Sequence, residues 1–175
     1  MLFSTLFAVS GLAVTLGSAA AIHHPRQDAG GFEITYAYSD KPSGRPGSSQ
    51  YCGVSFNVTD PATQTSTQCT AEHGPCTNNS VDPPEPEKLL DADHPATCAD
   101  AGFSFYLASF AGIGNYSLAV AHGAAPDAET QWGVTNLINS ENYPGYWHYN
   151  CGGSGFCSSA VSGTVIHANF ANAST

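Results

Sequence analysis

Tyr51-Cys52-Gly53-Val54-Ser55-Phe56-Asn57-Val58-Thr59-Asp60-Pro61 decides the fold class, and a Thr/Ser/Gln run carries it on to Cys69. Val54, Phe56 and Val58 alternate with Ser55, Asn57 and Thr59. A period of two is the pattern of a β-strand with one apolar and one polar face. Cys52 shares the parity of the apolar set. Asp60-Pro61 ends the strand, because proline donates no ladder hydrogen bond and Asp favours turns. Asn57-Val58-Thr59 is an N-glycosylation acceptor whose Asn falls on the polar parity.

Outward from this stretch the same period recurs. Phe32, Ile34, Tyr36 and Tyr38 alternate with Glu33, Thr35 and Ala37, which predicts a first strand with the aromatics inward. Ser39 to Ser49 is a Gly/Pro loop. A further strand is predicted over Ser66–Ala71. Phe103, Phe105 and Leu107 form another, and Tyr116, Leu118 and Val120 the next, with Asn115, Ser117 and Ala119 on the polar side. Gly112-Ile113-Gly114 joins these two as a hairpin. Gln131–Ile138 is a weaker strand, Asn139–Tyr149 reads as loop or edge, and Thr164, Ile166, Ala168 and Phe170 suggest a last strand. Glu72–Thr97 stands apart: it carries five prolines and six acids, and reads as a long surface loop with at most one helical turn at Glu87–Leu90. Short strands, Gly/Pro turns and no crossover helix predict an all-β fold, a single antiparallel β-barrel or sandwich with little helix.

The ends bound the domain. Residues 1–21 lack Asp, Glu, Lys and Arg, contain an apolar core from Leu6 to Leu16, and close on Ser18-Ala19-Ala20-Ala21, the pattern of a secretory signal peptide. Residues 22–30 read as a short pro-segment or flexible N-terminus with a processing point at Arg26-Gln27. Residues 31–170 make the single domain, and 171–175 a tail. The formal charge is −10 with four Lys and Arg, which argues against nucleic acid and against an anionic membrane surface as partners. Six cysteines, all beyond the signal, predict three disulfides in an oxidising compartment. Cys151 and Cys157 are spaced for local closure across a Gly-rich turn, but pattern alone does not choose among the pairings that six cysteines allow.

Candidate chemistry is sparse. Ser154 sits in Gly152-Gly153-Ser154-Gly155-Phe156, and Phe156 breaks the Gly-x-Ser-x-Gly elbow of a hydrolase nucleophile. His23 and His24 fit an N-terminal copper ligand only if cleavage follows Ile22. His73, His94, His122, His148 and His167 lack metal-ligand spacing among themselves, and His122 reads as a satisfied structural histidine. Asp82, Glu85, Glu87, Asp91 and Asp93 lack the calcium-loop pattern and read as a solvated face. Tyr143, Tyr146, Trp147 and Tyr149 are a candidate patch for sugars or flat aromatic ligands, weighed against ordinary packing of amphipathic rings. Asn57, Asn115, Asn78 and Asn172 begin glycosylation acceptors, the first two on outward strand parity. No catalytic residue, cofactor or metal is predicted.

The order of these pieces resembles the fungal secreted domain family typified by the major allergen of Alternaria alternata. The matching residues are Phe32-Glu33-Ile34-Thr35, Val54-Ser55-Phe56-Asn57-Val58, Cys69-Thr70-Ala71, Cys98 with Phe103-Ser104-Phe105, Tyr116-Ser117-Leu118, and the closing pair Cys151 and Cys157 before a last strand. The resemblance spans most of residues 32–170, and Arg26-Gln27 is similar to that family's mature start. It implies an antiparallel β-barrel, secretion to the extracellular space or fungal cell wall, and effector or elicitor activity on plant proteins. It also implies binding of flavonoid-like ligands. It implies the pairs Cys151–Cys157 and Cys69–Cys98, which leave Cys52 and Cys76 as the third. The chain departs from the family by its acidic 72–97 segment and by Cys52 and Cys76. The function expected is non-enzymatic binding to a host extracellular or defence protein, with a second copy of the chain as another candidate partner. A small-ligand carrier barrel is the alternative, and a secreted hydrolase or copper oxidase the remaining one.

Overall fold

The computed structural model describes residues 30–74, 76, 89–123 and 130–170. Among the described residues nine strands follow one another: β1 (Phe32–Lys41), β2 (Cys52–Asp60), β3 (Thr65–His73), β4 (Ala96–Thr97), β5 (Phe103–Gly112), β6 (Asn115–His122), β7 (Trp132–Thr135), β8 (Trp147–Cys151) and β9 (Cys157–Phe170). They form one antiparallel sheet in the order β3-β2-β1-β9-β7-β6-β5-β4, with β8 paired to β9 beside that path. No helix occurs among the described residues. The predicted signal peptide, the pro-segment up to residue 29, the 171–175 tail, Asn78, Asn172, His23, His24, and Asp82, Glu85 and Glu87 lie outside the described residues.

The sheet curls until its two end strands meet. Cys69 of β3 is bonded to Cys98, just beyond β4, with Cα atoms 4.2 Å apart. The Ala99 amide donates to the Gln68 carbonyl at 2.9 Å, and the Asp100 amide to Thr67 Oγ1 at 2.9 Å. The result is a nearly closed barrel with little bare edge. Cys52–Cys76 ties the start of β2 to the residue two beyond Gly74, and Cys151–Cys157 closes the β8–β9 hairpin. Such stapling is the condition of proteins that fold in oxidising compartments, consistent with an extracellular protein.

Aromatic rings fill the interior. Phe32, Phe56, Phe103, Phe105, Tyr116, Leu118 and Ile166 are fully buried. Phe56 of β2 meets Phe105 of β5 edge to face at 4.9 Å, across the barrel rather than along the sheet. Phe32 meets Phe170 and Phe103 the same way, at 5.2 and 6.4 Å. Each ring contributes more than its buried area through such geometry.

The structure corrects several boundaries and faces. A bulge between Ile34 and Tyr36 shifts the β1 register against both neighbours. Beyond it Ala37 and Ser39 are buried, and Tyr36 and Tyr38 point outward, the reverse of the predicted parity. An extra residue flips every later side chain, and a period-of-two reading carries no mark of it. β3 runs on through Glu72 and His73, and Ala96–Thr97 pair with β5, so the predicted 72–97 loop is shorter at both ends. Leu90, within that stretch, is buried, and its carbonyl accepts the Leu107 amide at 3.1 Å. On β6, Ser117 and Ala119 are buried although their parity is outward: Tyr106 of β5 opposes Ala119 and meets Trp132 of β7, opposite Ala121, edge to face at 4.8 Å, while Ser117 opposes Ser109 and shares a 2.7 Å hydrogen bond with it. Trp147–Tyr149, read as loop or edge, begin the edge strand β8.

Polar groups fasten the barrel ends. Asp60, at the end of β2, is buried, and His122 Nδ1 at the end of β6 lies 2.8 Å from its Oδ2. The imidazole also stacks on Phe103 at 4.0 Å, so His122 is a satisfied structural histidine. Burial pushes the Asp60 carboxyl up, but hydrogen bonds from His122, the Ala62 amide and Thr63 outweigh it and hold the carboxyl below its usual range. At the other end, burial alone pushes the His73 imidazole down to about 4. The exposed ring of Phe110 in β5 stands edge-on to it at 4.5 Å.

Two stability measurements follow. In the chain-entropy account, closing the Cys69–Cys98 separation of 29 residues removes roughly 3.5 kcal/mol of unfolded-state freedom, against roughly 2 for the separation of 6 at Cys151–Cys157. Cys69→Ser therefore lowers the denaturant midpoint more than Cys157→Ser. Asp60 has a folded pKa below its unfolded one, so its contribution is complete above about pH 4 and is lost as pH falls through the folded value. Asp60→Asn is expected to be less stable than the native chain at pH 6–7 and to lose less stability between pH 4 and pH 2, as read by urea titration at each pH.

Candidate functional site

The site is best built from register. Directly opposed residues in an antiparallel ladder share a face. His148 of β8 opposes Ala160 of β9, Ala160 opposes Tyr38 of β1, Tyr38 opposes Ser55 of β2, and Ser55 opposes Thr70 of β3. The next row runs Asn150, Ser158, Asp40, Gly53, Glu72. A third places Ser162, Tyr36, Asn57 and Gln68 together. All three lie on the outer side of the sheet, opposite to buried Ala37, Ser39, Val54 and Phe56.

This face is made of small side chains between two aromatic rows. Tyr36 and Tyr38 project from β1 with parallel rings 6.5 Å apart. Across Ala160 stands His148, and Tyr146, whose carbonyl accepts the Ser162 amide at 3.2 Å, is 46% exposed with its ring against Gly163. Burial raises the Tyr38 phenol pKa, the Asp40 charge adds to this, and a hydrogen bond with Ser158 opposes it. Burial also raises the Asp40 carboxyl, and the Glu72 charge raises it further. Gly53 separates these two acids: a Cβ there would collide with Asp40 Oδ1, so only glycine lets that carboxylate lie over β2. Asp40 and Glu72 edge an open cleft of about 520 Å³ that Arg45, Tyr51, Ser154 and Phe156 also line.

The four aromatic residues singled out in the sequence do not form one platform. Tyr143 is half-buried against the core, and burial raises its phenol pKa. Trp147 opposes buried Val161 and so faces the barrel end, where its ring fits against Gly114 and stacks on Tyr149 at 5.5 Å. Ser159 donates to the Ile113 carbonyl beneath them, which docks the β5–β6 turn on β9. Tyr149 keeps 49% of its surface and its hydroxyl reaches Cys151 Sγ at 3.3 Å. Tyr146 thus joins the outer face, Tyr149 the barrel rim, and Tyr143 and Trp147 support them. Sequence reading missed Tyr36, Tyr38, Asp40 and Glu72, because the β1 bulge and the β1-β2-β3 register bring them to this face.

Other sequence candidates fall elsewhere. Ser154 is exposed in the hairpin turn, where its Oγ accepts the Phe156 amide at 3.4 Å. Asp91 receives the Asp93 and His94 amides and pairs with the His94 ring at 2.9 Å, a local turn. Asn57 is exposed, while Asn115 is half-buried with its side-chain oxygen 3.4 Å from Asn139 Nδ2. Comparison with protein-family models, curated proteins and solved structures finds no match to this chain.

Placement makes a test for sugars. Expressed in a fungal secretory host, the protein is expected to carry glycans at Asn57 and Asn115, with Asn57 the more fully occupied, as read by glycopeptide mass spectrometry. An unmodified Asn57 would contradict its placement as an accessible acceptor.

Proposed function

We propose that this chain is a secreted, non-enzymatic fungal binding protein that recognises an extracellular host protein through the outer face of β8, β9 and β1 and the acid-edged ends of β2 and β3, with the glycan expected at Asn57 bordering that face. The observation that carries this reading is the pair of aromatic rows, Tyr36–Tyr38 and Tyr146–His148, set on either side of small residues and beside an acid-edged cleft. Tyrosine is enriched at the centres of protein interfaces because it offers broad apolar area and a hydrogen-bonding tip for little entropy. The family resemblance supports an effector or elicitor role on a plant protein. Extracellular life, at the fungal wall or beyond it, accords with three disulfides. The small-ligand alternative moves to the surface. With rings packing the interior, a flavonoid-like molecule has its best support on the same outer face.

The test uses the purified mature glycoprotein. Partners captured from plant apoplastic fluid are identified, and the affinity of the leading one is measured by calorimetry. Tyr38→Ala and Tyr146→Ala are each expected to weaken it about tenfold or more, the effect of a central interface residue. Leu137→Ser, at an exposed site outside the face, leaves it unchanged. Equal affinity for all three variants overturns the assignment of the face. Saturable quenching by a flavonol that the same tyrosine variants abolish, with no protein captured, would replace it by the carrier reading.

A further inference from the structure

We propose that reductive opening of Cys52–Cys76 creates a Cys2His site for a thiophilic divalent cation, with zinc(II) the fitting ion. The two sulfurs and a His73 ring nitrogen lie within 4.8 Å of one another. His73 is 4% exposed, and its Nε2 is buried without a hydrogen-bond partner. A buried polar atom left so carries a desolvation cost, and a metal bond would offset it.

Three local features hold this geometry without the disulfide. Cys52 and His73 are directly opposed in the β2–β3 ladder. Cys76 follows His73 by three residues through Gly74, whose φ of +108° and missing Cβ let the sulfur turn back; a Cβ there would stand 3.3 Å from Cys76 Sγ. The Cys76 amide donates to the Gln50 carbonyl at 2.9 Å, which anchors that residue through its backbone. Zinc takes thiolates at roughly 2.3 Å and imidazole at roughly 2.0–2.1 Å in a tetrahedron. The sulfurs must therefore separate to roughly 3.8 Å on reduction. Cys52 and His73 are buried and Cys76 half-buried, so solvent or an outside ligand reaches the fourth position from the Cys76 side.

The chemistry balances. A thiolate of a dithiol reductant attacks Cys76 Sγ, the accessible sulfur, and Cys52 leaves as thiolate. The second thiol of the reductant then releases Cys76. The reductant becomes a cyclic disulfide, and two electrons reach the protein as two thiols. Zinc(II) binds both as thiolates with release of two protons, and His73 joins through its lone pair.

The experiment uses the full chain carrying Cys151→Ser and Cys157→Ser, so that the exposed hairpin supplies no thiols. Cys69–Cys98 is protected by burial. After limited anaerobic reduction, thiol tagging should find Cys52 and Cys76 free and circular dichroism should keep the sheet signal. Cobalt(II), as the optical probe, should then bind one per chain with thiolate charge-transfer and tetrahedral visible bands, and zinc(II) should displace it. His73→Ala is expected to weaken cobalt binding roughly tenfold or more. Cys76→Ser should remove most of the charge-transfer band. Equal binding by the oxidised chain, equal affinity of His73→Ala, an octahedral spectrum without thiolate bands, or loss of the sheet on reduction would each overturn the proposal.

Discussion

A barrel whose two end strands must meet constrains every strand between them. Here the meeting is made at Cys69–Cys98, flanked by the Ala99–Gln68 and Asp100–Thr67 hydrogen bonds. Phe56 and Phe105, from β2 and β5, touch only because that closure folds the sheet over itself. Remove the closure and β3 and β4 become exposed edges, with their backbone groups open to water and to other chains. The disulfide acts mainly on the unfolded chain, while the hydrogen bonds and rings act on the folded one. The three sets reinforce one another, which is how a chain with few charged residues and no helix among its described residues holds a single register.

Closure also decides where polar groups can sit. Asp60 and His122 are 62 positions apart in sequence and meet at one end of the barrel. Asp60 alone would be a buried carboxyl short of a partner; with half-buried His122 and the Ala62 amide it is satisfied, and the Phe103 ring holds the imidazole in place. His73 and Tyr116 are the contrasting cases. Each buries an atom with no partner, and burial raises the Tyr116 phenol as it lowers the His73 imidazole. Neutral forms are what a desolvated site favours.

The outer face follows from a single irregularity. Without the bulge after Ile34, Tyr36 and Tyr38 would compete with Phe56 and Phe105 for the interior, and Ala37 would sit outside. With it, the core receives Ala37 and Ser39, and the two tyrosines are delivered to the surface beside Asp40. Gly53 then gives the Asp40 carboxylate its place over β2, opposite Glu72. One inserted residue and one missing side chain thus build much of the candidate recognition surface.

Much of the architecture was legible from residue order. Alternation named β2, the first half of β5 and the second half of β9, since each buries one side chain in two against a continuous core, and it found β6 although that strand is buried on both faces. Cysteine count and the uncharged N-terminal segment indicated an oxidising destination. The site was far less legible. The acid pair across Gly53, the tyrosines beside small β9 residues, and the Cys52–His73–Cys76 cluster all depend on which residues stand opposite one another. Opposition is a property of paired strands: it is set by bulges, turn lengths and barrel closure, and periodicity along one strand contains none of them. Sequence by itself determined most of the elements and the apolar side of the strands that alternate without a bulge, because burial acts on each such strand separately. Tertiary structure alone decided the register that joins distant side chains into a surface.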